Sequence, residues 1–286
     1  MRARAPASAA NLGPGFDTIA VALSLYVEVT VTPSSGLSVR TEGEGDDVND
    51  DAPVADHLAA RIATSVAGTD RLAITIRSSI PVARGLGSSA ALAAATAAAA
   101  GADDPLAVAA SVDGHPENAA ASVLGGLVAA TMINGSPVAV PLALDPELVF
   151  VVLVPTRPLP THRARQALPA QVTHADAAFN LGRLALLIAG LADRRVLSRD
   201  ATEDRLHQAA RQPLFPESSH LLSGLLDEGA LAACWSGAGP ALLGICTAAD
   251  GARVRDAGER LLVQSGVPGR ALLLSPDRDG LVVFDD

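Results

Sequence analysis

The chain has 286 residues, 49% hydrophobic and only 18% charged, which is enough apolar material for one large domain or two modest ones. A net charge of −10 excludes a general nucleic-acid binder, so any phosphate site must be local, made by backbone dipoles, a few arginines and a metal. Cys234 and Cys246 are too few and too far apart for a zinc ribbon or a disulfide framework.

In chain order, residues 6 to 17 are dense in turn formers and predict a loop that presents Asn11 and Asp17. Strand-like alternation follows at Val27, Val29 and Val31. Residues 42 to 51 are too charged for a core and read as a surface loop, and 56 to 66 have helical spacing. Leu72, Ile74 and Ile76 alternate as in a strand and lead to Pro81-Val82-Ala83-Arg84-Gly85-Leu86-Gly87-Ser88-Ser89-Ala90-Ala91, the start of an alanine helix ending at Gly101. A glycine turn at a helix N-terminus attracts phosphate, because unpaired N–H groups and the positive end of the helix dipole face it. Gly85 and Gly87 let the backbone approach an anion, while Ser88 and Ser89 can cap the helix, donate to oxygens or hold a cation. Neither familiar glycine loop fits: the chain has no lysine for Walker A, and Ala90 replaces the third glycine of the dinucleotide fingerprint. On these residues alone, a glycine-rich start to an ordinary alanine helix stays open.

A short helix is expected from Pro105 to Gly114, then Gly114-His115-Pro116-Glu117-Asn118, then a strand over 124 to 133. His115, between glycine and proline, is read as a turn residue. The apolar run 148 to 154 predicts a buried central strand, with a domain boundary just before it that gives 1–143 and 144–286. Further on, Arg163 and Arg165 share a helix, and helices are expected near 179 to 191, 202 to 211 and 252 to 264. Strands are expected around Ala233, 241 to 246, Ala271 and Val282, with Ser236-Gly237-Ala238-Gly239-Pro240 as a second glycine turn.

The opening stretch Pro6-Ala7-Ser8-Ala9-Ala10-Asn11-Leu12-Gly13-Pro14-Gly15-Phe16-Asp17, the glycine loop, Gly114 to Asn118, Thr161 to Pro169 and Ser236 to Pro240 occur together. As a set they resemble the GHMP small-molecule kinases and, within them, the homoserine kinase family. The resemblance implies an α+β fold of two domains, ribosomal-protein-S5-like at the N-terminus and a ferredoxin-like α/β plait at the C-terminus. It also implies ATP-dependent phosphorylation of the side-chain hydroxyl of L-homoserine, on the route to threonine, with Mg2+ as the metal.

By motif position the resemblance assigns the substrate to Asn11, Asp17, Thr161, Arg165 and Arg211, and the nucleotide to residues 81 to 91. Asp17 can pair with an ammonium, and Arg165 and Arg211 can grip a carboxylate in bidentate fashion. Magnesium falls to Ser89 and to Asp113, where the family commonly has Glu; Glu117 replaces the family's usual Asp. Asn118 takes the catalytic position, where an amide orients the hydroxyl or the phosphate because it cannot accept a proton at neutral pH. Arg211 follows Gln208-Ala209-Ala210 where the family usually has Gln-Pro-Tyr. A kinase for another small alcohol and a nucleotide-binding relative without turnover remain alternative readings. The expected partner is a small molecule, with neither nucleic acid nor membrane, and a homodimer is left open. With no basic-then-apolar leader and no uninterrupted apolar span, a cytoplasmic location is expected.

Overall fold

A hairpin of two long strands, β1 (Arg2–Asn11) and β2 (Gly15–Pro33), opens the chain in the computed structural model, which describes residues 1–45 and 53–284. Residues 46 to 51 of the expected acidic loop lie outside the described residues, as does the side chain of Asp113. The rest of the first half comprises β3 (Ser38–Gly43), α1 (Leu58–Ala67), β4 (Leu72–Ser78), α2 (Ser88–Ala99), α3 (Pro105–Asp113), α4 (Pro116–Leu124), β5 (Leu127–Ile133) and β6 (Ser136–Leu142). The second half comprises β7 (Leu148–Pro155), α5 (Thr161–Gln166), α6 (His174–Ala192), α7 (Gln208–Arg211), α8 (Ser218–Asp227), β8 (Ala232–Trp235), β9 (Leu242–Thr247), α9 (Gly251–Gln264), β10 (Gly269–Leu274) and β11 (Val282–Phe284).

The first sheet runs β11-β1-β2-β4-β3, with β5 on the early part of β2 and β6 on β5. Its parallel pair is β3 with β4, and α1 lies between them in the chain. The second sheet runs β10-β7-β9-β8 with every pair antiparallel. Its order and its α6 and α9 connections make it a ferredoxin-like plait, in which β7 is central and almost wholly buried, as an uninterrupted apolar run requires. The last described strand lies outside that sheet: β11 pairs with β1, Arg2 opposite Phe284.

Alanine sets the spacing around the site. Ala3, Ala5, Ala7 and Ala9 of β1 are fully buried in one core with Ala90, Ala91, Ala94, Ala97 and Ala98 of α2. Methyl side chains let helix and sheet pack closely, and this presses the N-terminal end of α2 onto β1, where the Ser8 N–H donates to Leu86 O at 3.1 Å.

Several elements differ from the sequence expectation. Residues 6 to 11 form strand rather than loop, because alanine and serine have weak strand preference and a strand buried on both faces shows no alternation. Gly114 caps the end of α3, His115 is the N-cap of α4, and Pro116 to Asn118 form its first turn, where the missing N–H of proline costs nothing. The expected helix over 202 to 211 is α-helical only at Gln208–Arg211. Before it, the Asp204 carboxylate accepts the backbone N–H groups of Leu206, His207 and Gln208, a local alternative to helix.

Candidate active site

Between the sheets lies a cleft lined by Asn11, Asp17, residues 82–83 and 85–90, His115, Glu117, Asn118, Thr161, Arg165, Arg211, Gly237 and Ala238. Six stretches far apart in sequence therefore meet at one place.

The opening turn is built from left-handed backbone: φ is 72° at Asn11, 47° at Leu12, 82° at Gly13 and 51° at Asp17. Such angles cost free energy for residues with a Cβ, so the turn must be held from outside. Asn11, buried at 4% exposure, does much of this: its Nδ2 donates to Gly237 O at 2.8 Å and its Oδ1 accepts the Asp17 N–H at 3.0 Å. It lines the cleft, but both ends of its amide already serve the fold, which makes it a clip between the first and last motifs.

His207, which the sequence reading did not single out, is the second clamp. Its Nε2 lies 2.7 Å from Gly13 O and its Nδ1 3.0 Å from Arg211 Nη1. Arginine can only donate, so Nδ1 accepts and Nε2–H donates to the carbonyl. The Phe16 ring stacks on the imidazole at 5.1 Å. Burial pushes His207 below its ordinary value of 6.5, a shift that Asp204 opposes and Arg211 reinforces. An unfolded chain binds a proton as pH falls through 6.5 while the folded one does not, so this stability is present above that value and lost below it. His57, also lowered by burial, acts in the same direction. Urea unfolding is expected to show a loss of about 1 kcal/mol per pH unit just below that range, with His207→Gln flattening the slope. A flat profile in the native chain would contradict a buried neutral imidazole.

The glycine loop forms the expected turn ahead of a helix. Positive φ recurs at Ala83 (54°), Gly85 (76°) and Gly87 (64°), and α2 begins immediately afterwards. Gly87 is the N-cap and no side chain caps the helix, so Ser88 and Ser89 do not have the capping role considered for them and line the cleft. Arg84 turns away: its Nε donates to Pro155 O at 2.9 Å and its Nη2 to Thr156 O, tying the loop to the end of β7. Pro81, Arg84 and Ala91 therefore belong to the loop's frame, whereas residues 82–83 and 85–90 face the cleft.

On the opposite side, Arg165 grips Asp17 with two hydrogen bonds of 2.7 and 3.1 Å. Asp17 and Arg165 are part-exposed, so this pair can be exchanged for ligand. Arg211 is almost fully buried and donates to Gly237 O at 3.0 Å. Burial, reinforced by the nearby Arg165, lowers it to about 10, and it remains a cation at neutral pH. Both guanidinium groups sit over the Phe16 ring, at 5.6 and 5.5 Å. Thr161 starts α5 and reaches the cleft.

Asn118 stands in the first turn of α4, its Oδ1 accepting from Ser8 Oγ at 2.9 Å. His115, read from sequence as a turn residue, also faces the cleft, with Nδ1 3.9 Å from Asp17 Oδ2. Asp17, His115 and Glu117 offer ligand atoms within 4.8 Å of one another. The backbone of Asp113 closes α3 just before this group.

A second hollow adjoins the glycine loop through Val82, Ser88 and Ser89 and is walled by Val27, His57, Leu58, Ile76 and Leu92. Sequence reasoning missed it because these residues read as ordinary core positions of a strand or helix. The alternation at Val27 and Ile76 shows that they share a sheet face, but not that one end of that face is left open.

Two family models match the chain, GHMP kinases N terminal domain over residues 53–126 and GHMP kinases C terminal over residues 178–264. The homoserine kinase of Rhodococcus opacus (strain B4) is 42% identical over 276 residues, covering 86% of this chain and 87% of that protein. The homoserine kinase of Thermus thermophilus is 40% identical over 280 residues, covering 94% of each. Two solved structures show the shared fold. The homoserine kinase from Cytophaga hutchinsonii gives a TM-score of 0.84 at 24% identity, covering 99% of this chain and 97% of that one. L. major mevalonate kinase in complex with R-mevalonate gives 0.68 at 17% identity, covering 99% and 95%. With this identity extending along most of two curated relatives, the chain belongs to the homoserine kinase family of the GHMP kinases.

Proposed function

We infer that the protein transfers the γ-phosphoryl group of ATP to the side-chain hydroxyl of L-homoserine, giving O-phospho-L-homoserine for threonine synthesis. The observation that carries this reading is the Asp17–Arg165 pair in the same cleft as the glycine loop. A carboxylate and a guanidinium that satisfy each other in the free protein are the two groups that the ammonium and carboxylate of an amino acid would take over. Arg211 adds a second cation on the carboxylate side, fixed by His207.

The glycine loop fits the triphosphate, with residues 85–89 supplying backbone N–H groups, hydroxyls and the N-terminus of α2. The apolar hollow beside it suits the adenine ring. We assign magnesium to Ser89, which lines the cleft, and to Asp113; when bound, the ion would neutralise charge on the phosphates. In the reaction the hydroxyl oxygen bonds to the γ-phosphorus and the bond from that phosphorus to the ADP oxygen breaks. The hydroxyl proton passes to a phosphoryl oxygen, because Asn118 cannot take it and phosphoryl transfer depends mainly on positioning and charge.

We keep 1–143 and 144–286 as the two domains, with β11 of the second half returning to the sheet of the first. We also propose a homodimer, a state that sedimentation measures directly.

The test is the demand for both charged groups of the substrate. With Mg-ATP, 4-hydroxybutyrate and 3-aminopropanol, which lack the amino and the carboxyl group respectively, are each expected to fall at least about 100-fold below L-homoserine in kcat/KM. Turnover of either within about tenfold would remove the zwitterion reading.

A further inference from the structure

Ser8 lies where three motifs meet. Fully buried in β1, it is bonded through its N–H to Leu86 O of the glycine loop at 3.1 Å and through its hydroxyl to Asn118 Oδ1 of α4 at 2.9 Å. A Cβ at Gly87 would run into Ser8 Oγ and come within 3.1 Å of Asn118 Oδ1, so glycine leaves space for this contact. Among the described residues the hydroxyl has one other acceptor in reach, Asn118 O at a long 3.4 Å, and its single proton goes to the nearer Oδ1.

An amide has one accepting and one donating end, and a rotation of 180° exchanges them at little steric cost. We propose that Ser8 is a positioning residue that sets the polarity of Asn118. By donating to Oδ1 on the protein side, it turns Nδ2 toward the cleft, so Asn118 meets the reacting groups as a hydrogen-bond donor. A donor there holds the hydroxyl oxygen by a lone pair and leaves its proton free to point at phosphate; an acceptor would capture that proton. This rests on the kinase reading above.

The test is a double-mutant cycle with Mg-ATP and L-homoserine, run on the full chain. Ser8→Ala removes one oxygen and frees the amide to rotate; kcat is expected to fall about tenfold while the KM values for ATP and L-homoserine move less than about twofold. Ser8→Cys, which keeps the volume and donates weakly, should lie between alanine and serine and serves if the alanine variant fails to fold. In an Asn118→Ala background, Ser8→Ala should change kcat no further, because a residue acting only through Asn118 has nothing left to act on. An unchanged kcat in Ser8→Ala, or an equal loss with and without Asn118, would overturn the assignment. A native chain that does not phosphorylate L-homoserine would instead fail the function itself, so the two failures are distinct.

Discussion

Asp17→Asn is expected to lower kcat/KM for L-homoserine by about two to three orders of magnitude while leaving the KM for ATP within about threefold, because a charge-assisted contact to an ammonium is lost and Arg165 is left without its carboxylate. The substitution isolates charge from backbone. Asp17 has φ 51°, a left-handed angle that asparagine adopts more readily than most residues, so the turn should survive. The N–H of residue 17 still reaches Asn11 Oδ1, and Phe16 still stacks on His207. Thermal unfolding within a few degrees of the native chain, with substrate saturation lost, is the expected pair of results. A variant that saturates normally with L-homoserine would remove Asp17 from the site.

Gly85→Ala should damage the nucleotide side more than any other single methyl group. Its φ is 76°, and an added Cβ would collide with Ser236 O and stand 2.8 Å from Gly239 N, both backbone atoms of the second glycine turn. Neither can move aside as a side chain would: Ser236 Oγ donates back to Gly85 O at 2.7 Å, and Gly237 N–H is bonded to Ala10 O at 2.9 Å. The expected cost is about 2–4 kcal/mol of stability, together with at least about a tenfold rise in the KM for ATP. Gly114→Ala is the control, since its φ of 69° is similar but nothing lies within 4 Å of the new Cβ. It should cost about 1 kcal/mol and leave ATP binding alone. Equal effects of the two would show that strain, not the junction of the two glycine turns, sets the loss.

Much of the site was legible because its chemistry is local in sequence. The glycines at 85 and 87 announced a turn before a helix, and the structure has that turn, in left-handed backbone at both glycines. Asp17, Arg165 and Arg211 came from the resemblance, by motif position, and only the fold shows that Arg165 closes on Asp17 across 148 positions. Ser8, His115 and His207 were not legible. A serine in an alanine strand looks like a filler, and a histidine before Gln-Ala-Ala gives no sign that its ring bridges Gly13 and Arg211. The strand at 2 to 11 escaped for a related reason: a strand buried on both faces and made of alanine has neither alternation nor branched side chains to mark it.

The most direct test of the account is a substrate panel with purified protein, Mg-ATP and L-homoserine, mevalonate or galactose, scored by the phosphorylated product. The expected result is O-phospho-L-homoserine formed with no comparable product from the others; phosphorylation of mevalonate or galactose with none of L-homoserine would contradict it.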